Sequence, residues 1–370
     1  MVDLMTAVAE RLGVEDINGA WRYVEEAAAA GVETALLLDV LSQVAPEKWH
    51  APVPEVAQRA AGAPGSADAI GALASALLRA GASRLAALLY GRAVALRPDD
   101  PRLLADQVAS WERCGDHEAA LRSLRASSAL VAGDGMLSYL LAFHLAVAGD
   151  LDGAAAVEFA DAPEATFLRG RIEGILARGR ALGMATARAR LATVAGVLAM
   201  QVSDELLVEG PRQTAEILTG ALGALRAIEA RVEAVAFLPT SGSEDLAAVV
   251  SELLQVPAER FDPTVGERLL VIYDLGDVGA ERARSLRDRR DLLIYAHVAS
   301  SRREHALAPD LLGTYAPAIR AAESLPRAQE VALVEAAEDP LASRWAVFAS
   351  GRGGDAQSLA GRDRLWAGLL

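Results

Sequence analysis

The sequence predicts a multidomain, mostly α protein. An N-terminal solenoid of helical hairpins precedes a C-terminal α/β domain with a small, mainly parallel sheet. Three observations predict it. Gly81, Gly115 and Gly149 lie 34 residues apart, each followed five residues later by an alanine: Ala86, Ala120 and Ala154. A fixed period of that length marks stacked helix–turn–helix units. The chain is alanine-rich with only 5% aromatics, which favours closely packed helices. From about residue 196, short apolar runs alternate with helix-like segments, the pattern of a parallel sheet with helical crossovers. At 370 residues and 52% hydrophobic, the chain is large enough for more than one core.

Residues 1–64 read as helices capping the solenoid, at 2–12, 17–30, 32–44 and 53–61, punctuated by Gly13, Gly31 and Pro46. Asn18 is the expected cap of the second. Gly62-Ala63-Pro64-Gly65-Ser66 is a linker. Residues 65–195 hold the repeats. In the first unit Ile70, Leu73, Ala74 and Leu77 mark one helix, Gly81 the turn, Ala86, Tyr90 and Ala93 the second helix, and Pro98 its end. The second unit offers Leu104, Val108, Trp111, Gly115, Ala120 and Leu124, and the third Leu141, Ala142, Leu145, Gly149 and Ala154.

Over residues 67–160, about a quarter of the chain, this pattern resembles the tetratricopeptide repeat. The second unit departs from it at Ser127, and the third at Glu158, so the third reads as degenerate or terminal. Gly183 falls 34 residues after Gly149, but Arg188 takes the alanine position, so 164–195 counts as half a repeat. The resemblance implies a protein–protein interaction or assembly scaffold. Arg79, Asp106, Arg113 and Tyr139 are the expected partner-binding positions, and self-association is the alternative.

Residues 196–350 form the α/β domain. Val197–Val202 and Glu205–Val208 read as a strand pair around Ser203-Asp204, and 211–230 as a helix. Strands follow at Val232–Leu238, Arg268–Tyr273 and Leu292–His297, with helices at 243–254 and 279–289. Further helices are expected at 310–324, 327–337 and 340–349. Residues 351–370 read as a flexible Gly-rich break and an amphipathic tail carrying Trp366.

Two loops at predicted strand ends are candidate sites, because ligands of open α/β sheets bind beyond the carboxyl ends of strands. Loop 239–245 supplies Ser241, Gly242 and Ser243 at a helix start, where backbone N–H groups can hold an anion. Loop 274–281 supplies Asp274 and Gly279. Together they resemble the phosphate-handling loops of type I phosphoribosyltransferases. Tyr273 stands where that family has an acid, and Val278 and Glu281 where it has hydroxyls. The resemblance therefore implies a degenerate, non-catalytic domain, with a phosphate-ligand sensor or an active transferase as the alternative. No catalytic residue and no cofactor is assigned.

Ser243, Asp274 and His297 follow the chain order of α/β-hydrolases, but the G-x-S-x-G elbow is absent. Ser243 reads instead as a helix N-cap. His297, His305 and Asp310 lack a recognised metal-ligand spacing, and the remaining histidines, His50, His117 and His144, read as structural. The basic cluster Arg282, Arg284, Arg287, Arg289 and Arg290 alternates with acids as a solvated face. A net charge of −14 argues against nucleic-acid binding. The lone Cys114 reads as a small buried hydrophobe. Neither a signal peptide nor a long apolar span is evident, so a cytoplasmic location without membrane insertion is expected, and the composition is of a bacterial kind.

Overall fold

The computed structural model describes residues 4–336 except 49–51, 160–162, 228–229, 241, 267, 288, 290, 303–304 and 322–326. The expected helix at 340–349, the 351–370 tail and His50 lie outside the described residues. Two compact units emerge: Met1–His144 with Val157–Ala165, and Leu145–Ala156 with Thr166–Leu370.

The first unit is helical. It opens with α1 (Leu4–Gly13), α2 (Ile17–Ala29), α3 (Thr34–Lys48) and α4 (Val53–Ala61). Two hairpins follow: α5 (Ala67–Arg79) with α6 (Ser83–Leu96), and α7 (Pro101–Arg113) with α8 (His117–Ala126). The chain breaks at Ser127, the position where the repeat pattern also fails, and resumes as α9 (Ser128–Gly133). The division between the units falls within α10 (Gly135–Val147). Pro46 does not end α3 but sits in its last turn, where its missing N–H costs a single hydrogen bond.

The 34-residue phase is a turn chemistry. Gly81, Gly115 and Gly149 have φ of +86°, +73° and +86°, and Gly183 continues the series at +73°. In the first three, the glycine N–H donates to the carbonyl three residues back (Leu78, Glu112, Ala146). The next N–H reaches the carbonyl five back (Leu77, Trp111, Leu145). This is the Schellman closure, which needs a left-handed residue and so selects glycine. The residue after the glycine then caps the following helix. Asp116 accepts from Ala119 N at 2.9 Å and Asp150 from Gly153 N at 2.8 Å. The α1–α2 turn has the same plan with Glu15 at φ +58°, and Asp16, not Asn18, caps α2.

Two apolar cores fill this unit. One joins α1–α6 through Trp21, Leu37, Leu41, Ile70, Leu77, Leu89 and Tyr90. The other joins α6–α10 around Leu104, Val108, Trp111, Leu124 and Leu137. Ala86 and Ala120 are fully buried, which explains their place in the repeat: a larger side chain would hold the paired helices apart. Between α7 and α10, Glu112 Oε1 lies 2.9 Å from His144 Nε2, both side chains almost wholly buried. Cys114 departs from expectation. As the residue ending α7 it is exposed, with its thiol turned back to the Ser110 and Trp111 carbonyls.

The second unit begins with α11 (Leu151–Ala155), α12 (Pro163–Leu182) and α13 (Ala187–Ala195). Then come β1 (Leu198–Val202), β2 (Leu207–Glu209), α14 (Pro211–Ala227), β3 (Ala234–Phe237), α15 (Ser243–Leu254), β4 (Ala258–Arg260) and β5 (Arg268–Asp274). A 3-10 turn, Leu275–Asp277, leads to α16 (Ala280–Arg287), β6 (Leu292–Ser300), β7 (Leu311–Ala316), β8 (Ile319–Ala321) and α17 (Arg327–Ala336).

Six strands form one sheet in the order β1-β7-β6-β5-β3-β4, every pair parallel. One face, through Met200, Val235, Leu269, Val271, Tyr295 and Leu311, shares a core with α14, α15 and α17. The edge strand β4 is short, exposed and charged, which discourages further pairing. Asp310 clamps three strands. Its carboxylate accepts from Ile294 N at 2.8 Å, its own N–H donates to the Ile294 carbonyl, and its carbonyl accepts from Leu198 N.

Two expectations are corrected here. The runs on either side of Ser203-Asp204 are strands but do not pair with each other. β1 pairs with β7 and β2 with β8, both parallel. Accordingly, 310–324 is not a helix but β7 and β8. Its run Leu311–Ala316 is buried throughout, and a short apolar run without alternation cannot be told from a helix by periodicity.

Two measurements check the helical analysis. Ala82 occupies a cap position with φ −87°, ψ 58°, close to the −91°, 68° of Asp116. Ala82→Asp should raise stability by about 1 kcal/mol in urea unfolding. His144→Leu should cost roughly 3–5 kcal/mol by leaving the Glu112 charge buried alone, and Glu112→Leu in the same chain should restore part of it.

Candidate functional site

The sheet topology places the candidate site. From β3 the chain runs through α15 to β4 on one side, and from β5 through α16 to β6 on the other. The carboxyl ends of β3 and β5 are therefore a topological switch point, where connections diverge and open a crevice. The two loops there are 238–242 and 275–279.

Ser243 is the first residue of α15 and fully buried. Its Oγ accepts from Tyr273 N at 2.8 Å and lies 2.7 Å from Thr240 Oγ1. The hydroxyl thus ties the β3 loop to the end of β5. It does not cap α15; the residue at that position is Gly242, at φ +75°. A Cβ on Gly242 would lie 2.9–3.2 Å from the Tyr273 ring, so both the backbone angle and the packing demand glycine. Tyr273 in turn lies beside His297, ring centroids 5.4 Å apart. His297 Nδ1 is 2.8 Å from Tyr295 Oη.

The register extends this row. Tyr273 stands opposite His297, and His297 opposite Gly313 on β7. A Cβ on Gly313 would lie 2.4 Å from the His297 carbonyl and 3.1 Å from Tyr295 Oη. Glycine at 313 therefore lets the Tyr295–His297 pair sit between strand and helix. The row joins residues from three strands and one loop, and none of its spacings is local. Only the Tyr-x-His alternation of β6 marks it in the sequence.

Of the sequence-predicted positions, Ser241 lies outside the described residues. Gly242 and Ser243 meet Tyr273 as described. Asp274 is half-buried, its Oδ1 accepting from Gly276 N at 2.7 Å. Gly279 is exposed, and a Cβ there would meet nothing within 4 Å. Val278 turns its side chain inward and is buried. Glu244, Asp245, Asp277 and Glu281 are exposed around the two loops, so the crevice rim is acidic. The Ser243 N–H is used by the Thr240 carbonyl. A bare anion would face those carboxylates rather than a clean helix terminus.

In the helical unit, Arg79 is exposed on α5 and donates to Ser75 Oγ at 2.7 Å. Asp106 is half-buried on α7, and burial holds its carboxyl above the usual range while Tyr90 hydrogen-bonds it. Burial also raises the Tyr90 phenol, and Asp106 adds to that rise. Arg113 is half-buried in the last turn of α7. Tyr139 is buried and stacked on Phe143, centroids 6.1 Å apart.

His305 Nε2 donates to the Ser300 carbonyl at 2.9 Å and Asp310 serves the strands. Among the described residues no group of three ligating side chains is placed to hold a metal. The basic cluster is partly structural: Arg287 donates twice to the Ala306 carbonyl, and Arg289 reaches Pro263 and Val265 carbonyls and Asp291. No helix among the described residues is long and apolar enough to cross a membrane. Compared with protein-family models and with curated proteins, the chain matches none.

Ser243→Ala tests the tie between the loops. It strands the buried Tyr273 N–H and should cost about 1–3 kcal/mol in chemical unfolding. Ser243→Thr keeps the hydroxyl and should recover part of that loss if the added methyl is accommodated.

Proposed function

We propose that the chain is a protein-interaction scaffold, its helical unit presenting hairpin repeats of the tetratricopeptide kind. One observation carries this reading: left-handed glycines recur at a 34-residue period through four turns. Repeats of this kind stack into extended surfaces that bind other proteins. Arg79 and Arg113 are the positions of the predicted contact set best placed to meet a partner, since Tyr139 is spent on packing. A second reading has support in the switch point. Loops resembling those of phosphoribosyltransferases lie at the crevice where such sheets bind ligands. The acidic rim and inward Val278 favour a non-catalytic domain there, and a phosphate ligand would need a divalent cation to offset the carboxylates.

The scaffold reading predicts that immobilised chain captures a protein from extract, or a second copy of itself, and that R79E/R113E loses the capture while its unfolding transition stays in place. Equal capture by both forms would overturn the assignment of that surface. The second reading predicts a rise in Tm with phosphoribosyl pyrophosphate or a nucleotide that requires Mg²⁺ and is lost in Asp274→Asn. A ligand at one hundred times its Kd adds about 2.7 kcal/mol. A flat response removes the second reading and leaves the first standing.

A further inference from the structure

Helix α12 carries an arginine that the fold leaves half satisfied. Arg178 is half-buried, with Nε donating to the Thr193 carbonyl in the last turn of α13 at 3.0 Å. Among the described residues no carboxylate pairs with it, and Nη1 and Nη2 have no protein acceptor. Comparable arginines are treated differently. Arg92 donates from Nη1 to Thr34 Oγ1 and from Nη2 to the Ala28 carbonyl, and Arg287 and Arg289 each bond through two or more nitrogens. Burial, together with the like charge of Arg171, lowers the Arg178 pKa to about 10. The folded chain therefore holds a cation that its surroundings disfavour, in a protein with 50 acidic residues against 36 basic ones.

The helix face around it is cleared. Residues 167, 170, 171, 174 and 178 fall on one stripe by helical spacing. They are Phe167, exposed; Gly170 and Gly174; and Arg171 and Arg178. The Arg178 guanidinium folds back along the helix, so that Nη1 is 3.3 Å from where a Cβ at 174 would stand. A Cβ at 170 would meet nothing within 4 Å. Each mid-helix glycine costs about 1 kcal/mol relative to alanine, so this clearance has no local benefit. An oxyanion approaching over Gly174 would accept from the free edge of the fork, neutralise the charge and relieve the repulsion from Arg171.

We propose that Arg178, with Arg171 and the cleared backbone at Gly174, forms a binding site for an oxyanion, either a carboxylate or a phosphate group. The site lies on α12, separate from the β3–β5 crevice, and does not depend on either reading of function.

The test is thermal unfolding of the full chain in inorganic phosphate and, separately, in succinate, each against sodium chloride at equal ionic strength. The wild type should show a higher Tm in one or both anions than in chloride. Phosphate alone acting assigns a phosphate group; succinate alone assigns a carboxylate. Arg178→Gln should abolish the shift, but it also removes a partner of α13. Gly174→Leu is therefore the second variant: it keeps the guanidinium and covers its approach. It should fold with an unchanged or higher Tm in chloride and lose the anion response. No shift in the wild type with either anion, or an undiminished shift in Gly174→Leu, would overturn the site.

Discussion

The helical unit depends on one device: a helix that ends in a left-handed residue whose successor starts the next helix. Schellman closure satisfies the carbonyls at the end of one helix, and the following aspartate satisfies an N–H at the start of the next. The connection is thereby reduced to two or three residues with little freedom, and the crossing of the two helices is fixed by backbone chemistry. Buried alanines five residues on then allow the helices to close. Where the device weakens, so does the hairpin. Past Gly149 the second helix is only Leu151–Ala155.

The same device explains why this half was legible in the sequence. A left-handed turn leaves a mark that no other residue type supplies as cheaply, and the mark recurs at a countable interval. Glu15 escaped notice because it takes the same angle without being glycine, and Asn18 was credited with a role that Asp16 fills. In the α/β unit, β3, β5, β6, α15 and α16 were legible because apolar runs alternate with helical periodicity at crossover spacing. The strands at 311–316 and 319–321 were not. A strand buried on both faces carries no alternation, and its partners, β6 and β1, are fixed by tertiary register.

The candidate site was legible in position and obscure in content. Strand-end loops can be found by punctuation, and both fall at the switch point. What those loops do with their side chains depends on pairs far apart in sequence: Ser243 with the Tyr273 amide, Gly242 with the Tyr273 ring, Gly313 with Tyr295 and His297. Ser243 looked like a cap because serine before an apolar run commonly is one. Its burial on Tyr273 shows a hydroxyl used to hold two loops in register, with Gly242 taking the cap position.

The pairing of β1 with β7 sets an order of assembly. As the chain emerges from the ribosome, β1 must wait for more than a hundred further residues before its only partner in the sheet exists. The strands β3 to β6 complete their mutual pairing earlier, each closing over a loop shorter than that one. The centre of the sheet can thus form while β1 remains unpaired, and the last strands to be made are those that secure the first. The long loop closure is a slow, non-local step. It makes 311–321 the segment whose arrival converts a partial sheet into the finished one.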